Sequence, residues 1–174
     1  MSGDLLIRDA VISDAESLCD AEREVVTQHV GLLVSLPQEL QPSAFRDRIA
    51  NANIGCGKYV VVESNGQIVG HASLWPMGLQ QIAHVFRLDM CVHVGHWRQG
   101  YGRAMLRHLT EWAGANQAVH KIELLVRSTN TPAIQLYRSF GFFDEGRHLD
   151  RVKLQDGRFL DDIAMALSVL HEDA

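Results

Sequence analysis

The sequence predicts one α/β domain with a mixed, strongly twisted sheet, and three observations lead to this prediction. The chain has 174 residues, a length that fits a single domain over residues 1–174. Its first half reads as two helices and a meander of strands, whereas its second half alternates strands with amphipathic helices. No repeat or low-complexity tract divides the chain.

The first elements are a short strand and two helices. Residues 5–8 are predicted as the strand. Ser13 is predicted to cap the first helix, with Glu16 completing a capping box, and this helix runs to about Gln28. A second helix is expected over residues 43–51. The apolar residues between the two helices follow no clean period, so this stretch has no predicted element.

Three strands follow in a meander. Residues 58–63, with the sequence KYVVVE, form the first of them. Residues 64–67, Ser-Asn-Gly-Gln, carry an Asn-Gly hairpin signal, so the return strand is predicted at residues 68–75. Residues 82–94 are predicted as one longer strand.

The remaining elements begin with a helix at about residues 100–115. A strand is predicted at residues 121–127, a short helix at 132–140, and two final strands at about 142–153 and 158–168. One face of the longer helix gathers apolar side chains, which are Met105, Leu106, Leu109, Trp112 and Ala113.

Composition excludes several classes of function. The formal net charge of −5 argues against a nucleic-acid or anionic-membrane partner. The isolated cysteines Cys19, Cys56 and Cys91 form no CxxC or Cys/His pair, so no metal site is expected. Neither a signal peptide nor an apolar run of ~20 residues is found. These features predict a soluble, cytoplasmic protein, and a homodimer is left open.

A glycine-containing turn is the first candidate site. Residues 92–103, VHVGHWRQGYGR, lead from the long strand into a helix. Gly100 and Gly102 let backbone N–H groups converge, and with the helix N-terminus they predict an anion cradle suited to a phosphate or pyrophosphate. Arg98 and Arg103 add positive charge there.

This turn matches no better-known phosphate loop. A Walker A loop would need lysine where Tyr101 stands, and a dinucleotide fingerprint would need glycine where Met105 stands. On this evidence alone, a tight turn that only starts a helix is an equally good interpretation.

The second candidate lies at residues 130–142, NTPAIQLYRSFGF. Asn130 or Thr131 is predicted to cap the short helix, Pro132 suits its first turn, and Gly141 ends it. Taken alone, the tyrosine on this helix is best interpreted as a core residue with a satisfied hydroxyl. One helical face is predicted to hold Ala133, Tyr137 and Phe140.

Together the two motifs resemble the GNAT superfamily of N-acetyltransferases. A strand feeds a glycine turn, and Asn-x-x-Ala-x-x-x-Tyr-x-x-x-Gly-Phe follows the next strand. The resemblance spans about residues 58–167 and looks closest to the branch that acts on amino acids and similar small amines. It implies a GNAT-like sheet of about six to seven strands with helices on both faces. One departure is Trp97, which stands where the family usually has Arg or Gln.

The resemblance also implies roles for residues. Acetyl-CoA is the expected cosubstrate, with no metal. Asn130 matches a residue that contacts the cofactor, and Tyr137 matches the tyrosine that gives a proton to the leaving thiolate. The pantetheine arm is assigned to Val92, His93 and Val94, and the pyrophosphate to Arg98, Gln99, Gly100, Tyr101, Gly102 and Arg103.

The general base and the acceptor stay open at this stage. His84 matches a histidine typical of the branch, and histidine is the commonest general base in enzymes, although a structural role is equally plausible. Asp89, Glu63 and Glu123 are the other candidates, as is a water chain. The expected acceptor is a small-molecule amine such as an amino acid. A protein N-terminus or lysine, a polyamine or an aminoglycoside are alternatives, and so is a non-catalytic CoA-binding sensor. The ribosomal-protein branch has glutamate where this chain has Leu125.

Overall fold

The computed structural model describes residues 5–55 and 57–171. Within these residues, seven strands form one sheet in the order β1-β2-β3-β4-β5-β7-β6. Only β4 and β5 run parallel, so the predicted mixed sheet is confirmed. The strands are β1 Leu5–Asp9, β2 Lys58–Ser64, β3 Gln67–Pro76, β4 Val85–Val92, β5 Lys121–Arg127, β6 Phe143–Lys153 and β7 Phe159–Ser168.

Helices cover both faces of the sheet, as the resemblance implied. The described helices are α1 Ala15–Gln28, α2 Pro42–Asn53, α3 Tyr101–Ala115 and α4 Thr131–Arg138. One apolar cluster joins α3 and α4 to the sheet, and a second joins α1 and α2 to it. No helix in these ranges is long and apolar enough to cross a membrane. The predictions for residues 1–4 and Cys56 lie outside the described residues.

Strand β2 shows why two clusters form. Successive side chains of a strand point to opposite faces. Val60 and Val62 therefore enter the α3 side, whereas Tyr59 and Val61 enter the α1 and α2 side. The apolar run KYVVVE is thus a strand buried on both faces. At Asn65 and Gly66 the chain turns with positive φ at both residues, as the predicted Asn-Gly hairpin requires.

The apolar face of α3 is confirmed. Met105, Leu106, Leu109 and Ala113 are fully buried, and Trp112 is half-buried against the same cluster. Full burial of one such large side chain contributes about 1.5–3 kcal/mol. The helix that follows the candidate cradle is therefore fixed firmly on the sheet.

The predicted start of the first helix is wrong. Ser13 lies inside a 3-10 turn, Ile12–Asp14, and α1 begins after it. The reason is tertiary, because Arg8 holds the Asp14 carboxylate through two hydrogen bonds of 2.7 and 3.0 Å. The same carboxylate accepts the N–H of Val11 at 2.9 Å, so Asp14 is fixed in the 3-10 turn and α1 starts only after it, without a side-chain cap. Glu16 forms an ion pair with α2 instead of a capping box.

The predicted strand at residues 82–94 is too long. Residues Gln80–Ile82 form a 3-10 turn, and β4 covers only Val85–Val92. His84 lies in the turn before the strand, where its carbonyl accepts the N–H groups of His120 and Lys121 at 2.9 and 3.3 Å. These bonds hold the turn against the start of β5, a contact that local sequence does not report.

The segment between α1 and α2 holds one 3-10 turn, Pro37–Glu39. It also reaches across the sheet, since Arg127 at the end of β5 donates to the carbonyl of Gly31 at 3.1 Å. Gly31 has a φ of +86°, and a Cβ there would lie 2.8 Å from Leu160. This close approach brings the segment over the β5–β7 side of the sheet.

Candidate active site

A wedge-shaped gap separates β4 from β5. The two strands pair only from Val85 to Arg87, whereas β4 stays paired with β3 as far as Val92. The N–H of His93 bonds to β3, so the alternation of the ladder directs the backbone groups of Met90 and Val92 toward the gap. An unpaired strand edge of this kind can accept an extended ligand as an additional strand.

The loop between β4 and α3 opens at the same end. Gly95 and Gly100 have φ angles of +81° and +87°, and nothing lies within 4 Å of a Cβ built at either. Arg98 also has a positive φ, and Gln99 braces the loop by donating to the carbonyl of Gly95 at 3.2 Å. The first amides of α3 have no partner within the helix. Open space, free amides and the helix dipole together fit a pyrophosphate.

Gly102 is constrained by packing. A Cβ at this position would lie 3.3 Å from Leu136 and 3.6 Å from Val92. Gly102 therefore lets α3 approach both α4 and β4, whereas Gly100 supplies the left-handed backbone that begins the helix.

Two predicted cradle side chains are tied to neighbouring elements. Tyr101 donates its hydroxyl to Ser64 at 3.0 Å, which fixes the start of α3 to the end of β2. Arg103 donates to Ser139 at 3.2 Å, just beyond α4. Arg98 is exposed on the loop itself. The structure thus brings the predicted cradle residues together while giving these side chains different contacts.

Trp97 occupies the mouth of the gap. Its indole N–H donates to the carbonyl of Val92 at 2.8 Å, and its ring packs edge-on against His29 at 4.3 Å between centroids. The residue that departs from the family pattern therefore connects the cradle loop to the segment after α1.

Tyr137 lies on α4, buried to 8% exposure, with its ring packed on Phe142. Its hydroxyl bonds to no group within residues 5–55 and 57–171, and it is not among the fully enclosed unpaired atoms, so it is partly accessible. Burial, and then the charge of Asp89, raises the pKa of Tyr137. The hydroxyl therefore stays protonated through the neutral and mildly alkaline range.

Asp89 lies on the splayed part of β4. Its neighbour Leu88 enters the α3 cluster, so Asp89 points to the α1 and α2 face. Asp89 keeps an exposed surface, but the desolvation of its carboxylate by the surrounding elements raises its pKa against the opposing charges of Arg87 and Arg48. A carboxylate with a raised pKa on the edge of the gap has the character of a general base.

Residues 27–142 match the family described as the Acetyltransferase (GNAT) family. The chain belongs to this family. It is therefore an acyltransferase of the class that uses acetyl-CoA to acetylate amines.

Individual relatives agree with this assignment. The chain is 30% identical over 109 residues to the L-amino acid N-acetyltransferase AaaT of Escherichia coli K12, covering 63% of this chain and 67% of the relative. It is 37% identical over 81 residues to the [ribosomal protein bS18]-alanine N-acetyltransferase of Escherichia coli K12, 47% of this chain and 53% of the relative. The aligned segments thus span from about half to two thirds of these relatives. The structure of yncA from Salmonella typhimurium, solved with acetyl-CoA, superposes with a TM-score of 0.83 at 22% identity, covering 98% of this chain and 97% of that one.

The GNAT residues carried over from sequence have separate places in the structure. Asn130 caps α4 by accepting the N–H of Ala133 at 3.3 Å, which confirms the predicted cap. His84 is exposed at the start of β4, eight residues from Val92, or ~26 Å along an extended strand. It lies at the closed end of the gap, beside His120, and the prediction that it is the general base stays a prediction.

The other base candidates have partners. Glu63 pairs with Arg8 at 2.6 Å, and Glu123 pairs with Lys121 at 2.8 Å. Asp89 remains the carboxylate whose position on the gap edge suits proton abstraction. In the described ranges, no group of three or more His, Cys, Asp or Glu side chains is placed to hold a metal ion.

A cavity of about 200 Å³ is lined by residues of β4, β5, β6 and β7. It contains charges of both signs. Lys121 bridges Glu123 and Glu145 at 2.8 and 2.7 Å, whereas Arg87 forms no salt bridge within the described part of the chain. Sequence reasoning missed this cavity because its residues come from strands distant in sequence. The lining residues are Arg87, Glu123, Leu124, Leu125, Glu145, His148, Ala164 and Met165.

Proposed function

We propose that this acetyltransferase acetylates the primary amine of a small, amino-acid-like molecule. The observation that carries the proposal is the alignment of three features at one gap: an open cradle at the start of α3, an unpaired β4 edge, and a small cavity with both charges. The proposal extends the family assignment to a class of acceptor.

The chain's own groups account for binding of the cosubstrate. Gly100 and the first amides of α3 would hold the pyrophosphate, with Arg98 adding charge. The backbone groups of Met90 and the N–H of Val92 would pair with the pantetheine arm in the manner of an added strand, while the Val92 carbonyl accepts the Trp97 indole N–H. When bound, acetyl-CoA supplies an acetyl thioester at the gap.

Asp89 and Tyr137 then have complementary tasks. An alkylamine has a pKa of about 10.4 and is mostly protonated at neutral pH, so a base must remove one proton before attack. Asp89, on the gap edge, is proposed to take that proton, directly or through water. Tyr137, which keeps its proton, is proposed to donate at the leaving sulfur. A backbone N–H of β4 would stabilise the developing oxyanion.

The charges around the cavity favour a zwitterionic acceptor. Glu123 and Glu145, which share Lys121, place negative charge near an ammonium group, whereas Arg87 in the cavity lining provides positive charge for a carboxylate. A relative that carries L-amino acid N-acetyltransferase in its name supports this interpretation. A protein α-amine is the second candidate, because another relative acetylates the alanine of ribosomal protein bS18. Leu125 in the cavity lining disfavours a protein α-amine, because the ribosomal-protein branch has a glutamate at this position.

The test is a turnover screen with acetyl-CoA against amino acids, polyamines, aminoglycosides and short peptides, measured by release of free thiol. We expect the highest kcat/KM for amino acids. Preference for their carboxyl-amidated forms would contradict the role of Arg87. Tight binding of acetyl-CoA with no turnover of any amine would indicate a sensor instead.

A further inference from the structure

A buried chain of hydrogen bonds crosses the α1 side of the sheet. The Glu22 carboxylate on α1 lies 2.9 Å from Nε2 of His71 on β3. Nδ1 of His71 lies 3.1 Å from Nε2 of His93, and Nδ1 of His93 lies 3.1 Å from the carbonyl of Ile68. The side chains of His71 and Glu22 are 5% and 15% exposed.

For all three contacts to be hydrogen bonds, this chain needs one proton more than two neutral imidazoles carry. Both of its ends, an ionised carboxylate and a carbonyl, can only accept. Three contacts need three protons, whereas two neutral imidazole rings bring one each. Burial, and then the neighbouring His71, lowers the pKa of His93 to about 4, so His93 is neutral and its proton faces Ile68. His71 then donates from Nδ1 to His93.

We propose that a third proton resides between Glu22 and His71, and that these two positioning residues use it to hold His93 at the start of the cradle loop. The proton forms either an imidazolium–carboxylate pair or an acid–imidazole pair, and both have the same proton count and no net charge. The proposal rests on the proposed function, since the loop is taken to bind acetyl-CoA.

His93 is the residue through which the chain would act. It follows β4 directly, its N–H bonds to Val69 at 2.9 Å, and its carbonyl accepts the N–H of His96 at 3.2 Å. These backbone bonds place His93 where the loop leaves the sheet, and its side chain is the group that His71 contacts. Loss of the third proton would leave two acceptors facing each other between Glu22 and His71, so the contact from α1 to the loop would be lost.

Other titratable groups face this chain. Burial raises the pKa of Tyr59 on β2 and of Cys91 on β4, so both keep their protons. Arg48 on α2 stays charged. Asp89 on β4 and His96 in the loop are the other ionisable groups, and a variant that changes only Glu22 leaves both in place.

The decisive variant is Glu22→Gln. Its amide can donate to a neutral His71, so it completes the chain without the third proton. The experiment is isothermal titration of acetyl-CoA into the full chain, from about pH 6 to about pH 9, the range around which an imidazolium loses its proton. Glu16→Gln is the matched control, since Glu16 lies on the same helix in an exposed ion pair.

We expect acetyl-CoA affinity of the unmodified chain and of Glu16→Gln to fall about three- to tenfold as the pH rises, the value of one hydrogen bond. Glu22→Gln should bind well at neutral pH without this fall. A parallel ¹⁵N measurement on the unliganded protein should show the proton of His93 on Nδ1.

Several results would overturn the inference. The first is that the acetyl-CoA affinity of the unmodified chain does not fall as the pH rises. The second is that the affinity of Glu22→Gln falls by the same factor, or that this variant no longer folds or binds acetyl-CoA. The third is that the proton of His93 lies on Nε2. An unmodified chain that does not bind acetyl-CoA at any pH would instead refute the proposed function. The ¹⁵N measurement would then decide the inference by itself.

Discussion

Replacing Tyr137 by phenylalanine removes one hydroxyl and leaves the ring packed on Phe142. Because this hydroxyl bonds to no group in the described ranges, its removal breaks no hydrogen bond of the folded protein. The free energy of unfolding should therefore change by no more than about 0.5 kcal/mol. If the hydroxyl donates a proton at the leaving sulfur, kcat should fall by about 10²–10⁴-fold.

The assay is steady-state kinetics with the best acceptor, together with thermal melting and acetyl-CoA titration. The expected pattern is a lower kcat with an unchanged Kd for acetyl-CoA. Tyr59→Phe is the matched control, because Tyr59 is another buried tyrosine with a raised pKa and belongs to the cluster on the opposite face. A Tyr137→Phe enzyme with near-normal kcat, or one that loses stability and activity together, would refute the proposed role.

Three further predictions concern the base, the cradle and the cysteine. Asp89→Asn should lower kcat at least about 10²-fold. Since the pKa of Asp89 is raised, the activity of the unmodified enzyme should decline on acidification at a higher pH than for an ordinary carboxylate. A pH–rate profile without this acidic decline would contradict the role of Asp89 as the base. Gly100→Asp and Gly102→Glu should weaken acetyl-CoA binding strongly by calorimetry, with circular dichroism as the folding control. Cys91→Ala should keep its activity, because burial raises the pKa of the thiol and the acetyl group is expected to pass directly from acetyl-CoA to the amine. Parallel-line kinetics would instead indicate an acetylated enzyme intermediate.

Elements with a local pattern were predictable from sequence. The apolar run of β2, the Asn-Gly hairpin and the apolar face of α3 each follow from a few adjacent residues, and the structure confirms all three. The start of α1 was not predictable, because the contact between Arg8 and Asp14 decides it. The prediction of where β4 starts was wrong for the same kind of reason, since a hydrogen bond from the distant His120 fixes the turn at His84.

The candidate site divides in the same way. The cradle and the capped α4 have motifs, so sequence located Gly100, Asn130 and their neighbours. Asp89 could be named only as one of several carboxylates, because no pattern along the chain shows where β4 leaves β5. The chain of hydrogen bonds from Glu22 through His71 to His93 joins residues that are 49 and 22 positions apart, so no local sequence pattern predicts it.

The seam between β4 and β5 has a consequence for the lifetime of the protein. Three residue pairs join these strands, whereas seven join β3 to β4 and seven join β5 to β7. A ligand that pairs with the free edge of β4 completes the sheet and binds only the folded state. At a concentration of about 100 times its Kd, such a ligand adds ~2.7 kcal/mol to the free energy of unfolding. Under the proposed mode of binding, resistance to proteolysis would therefore rise and fall with the supply of the acetyl donor.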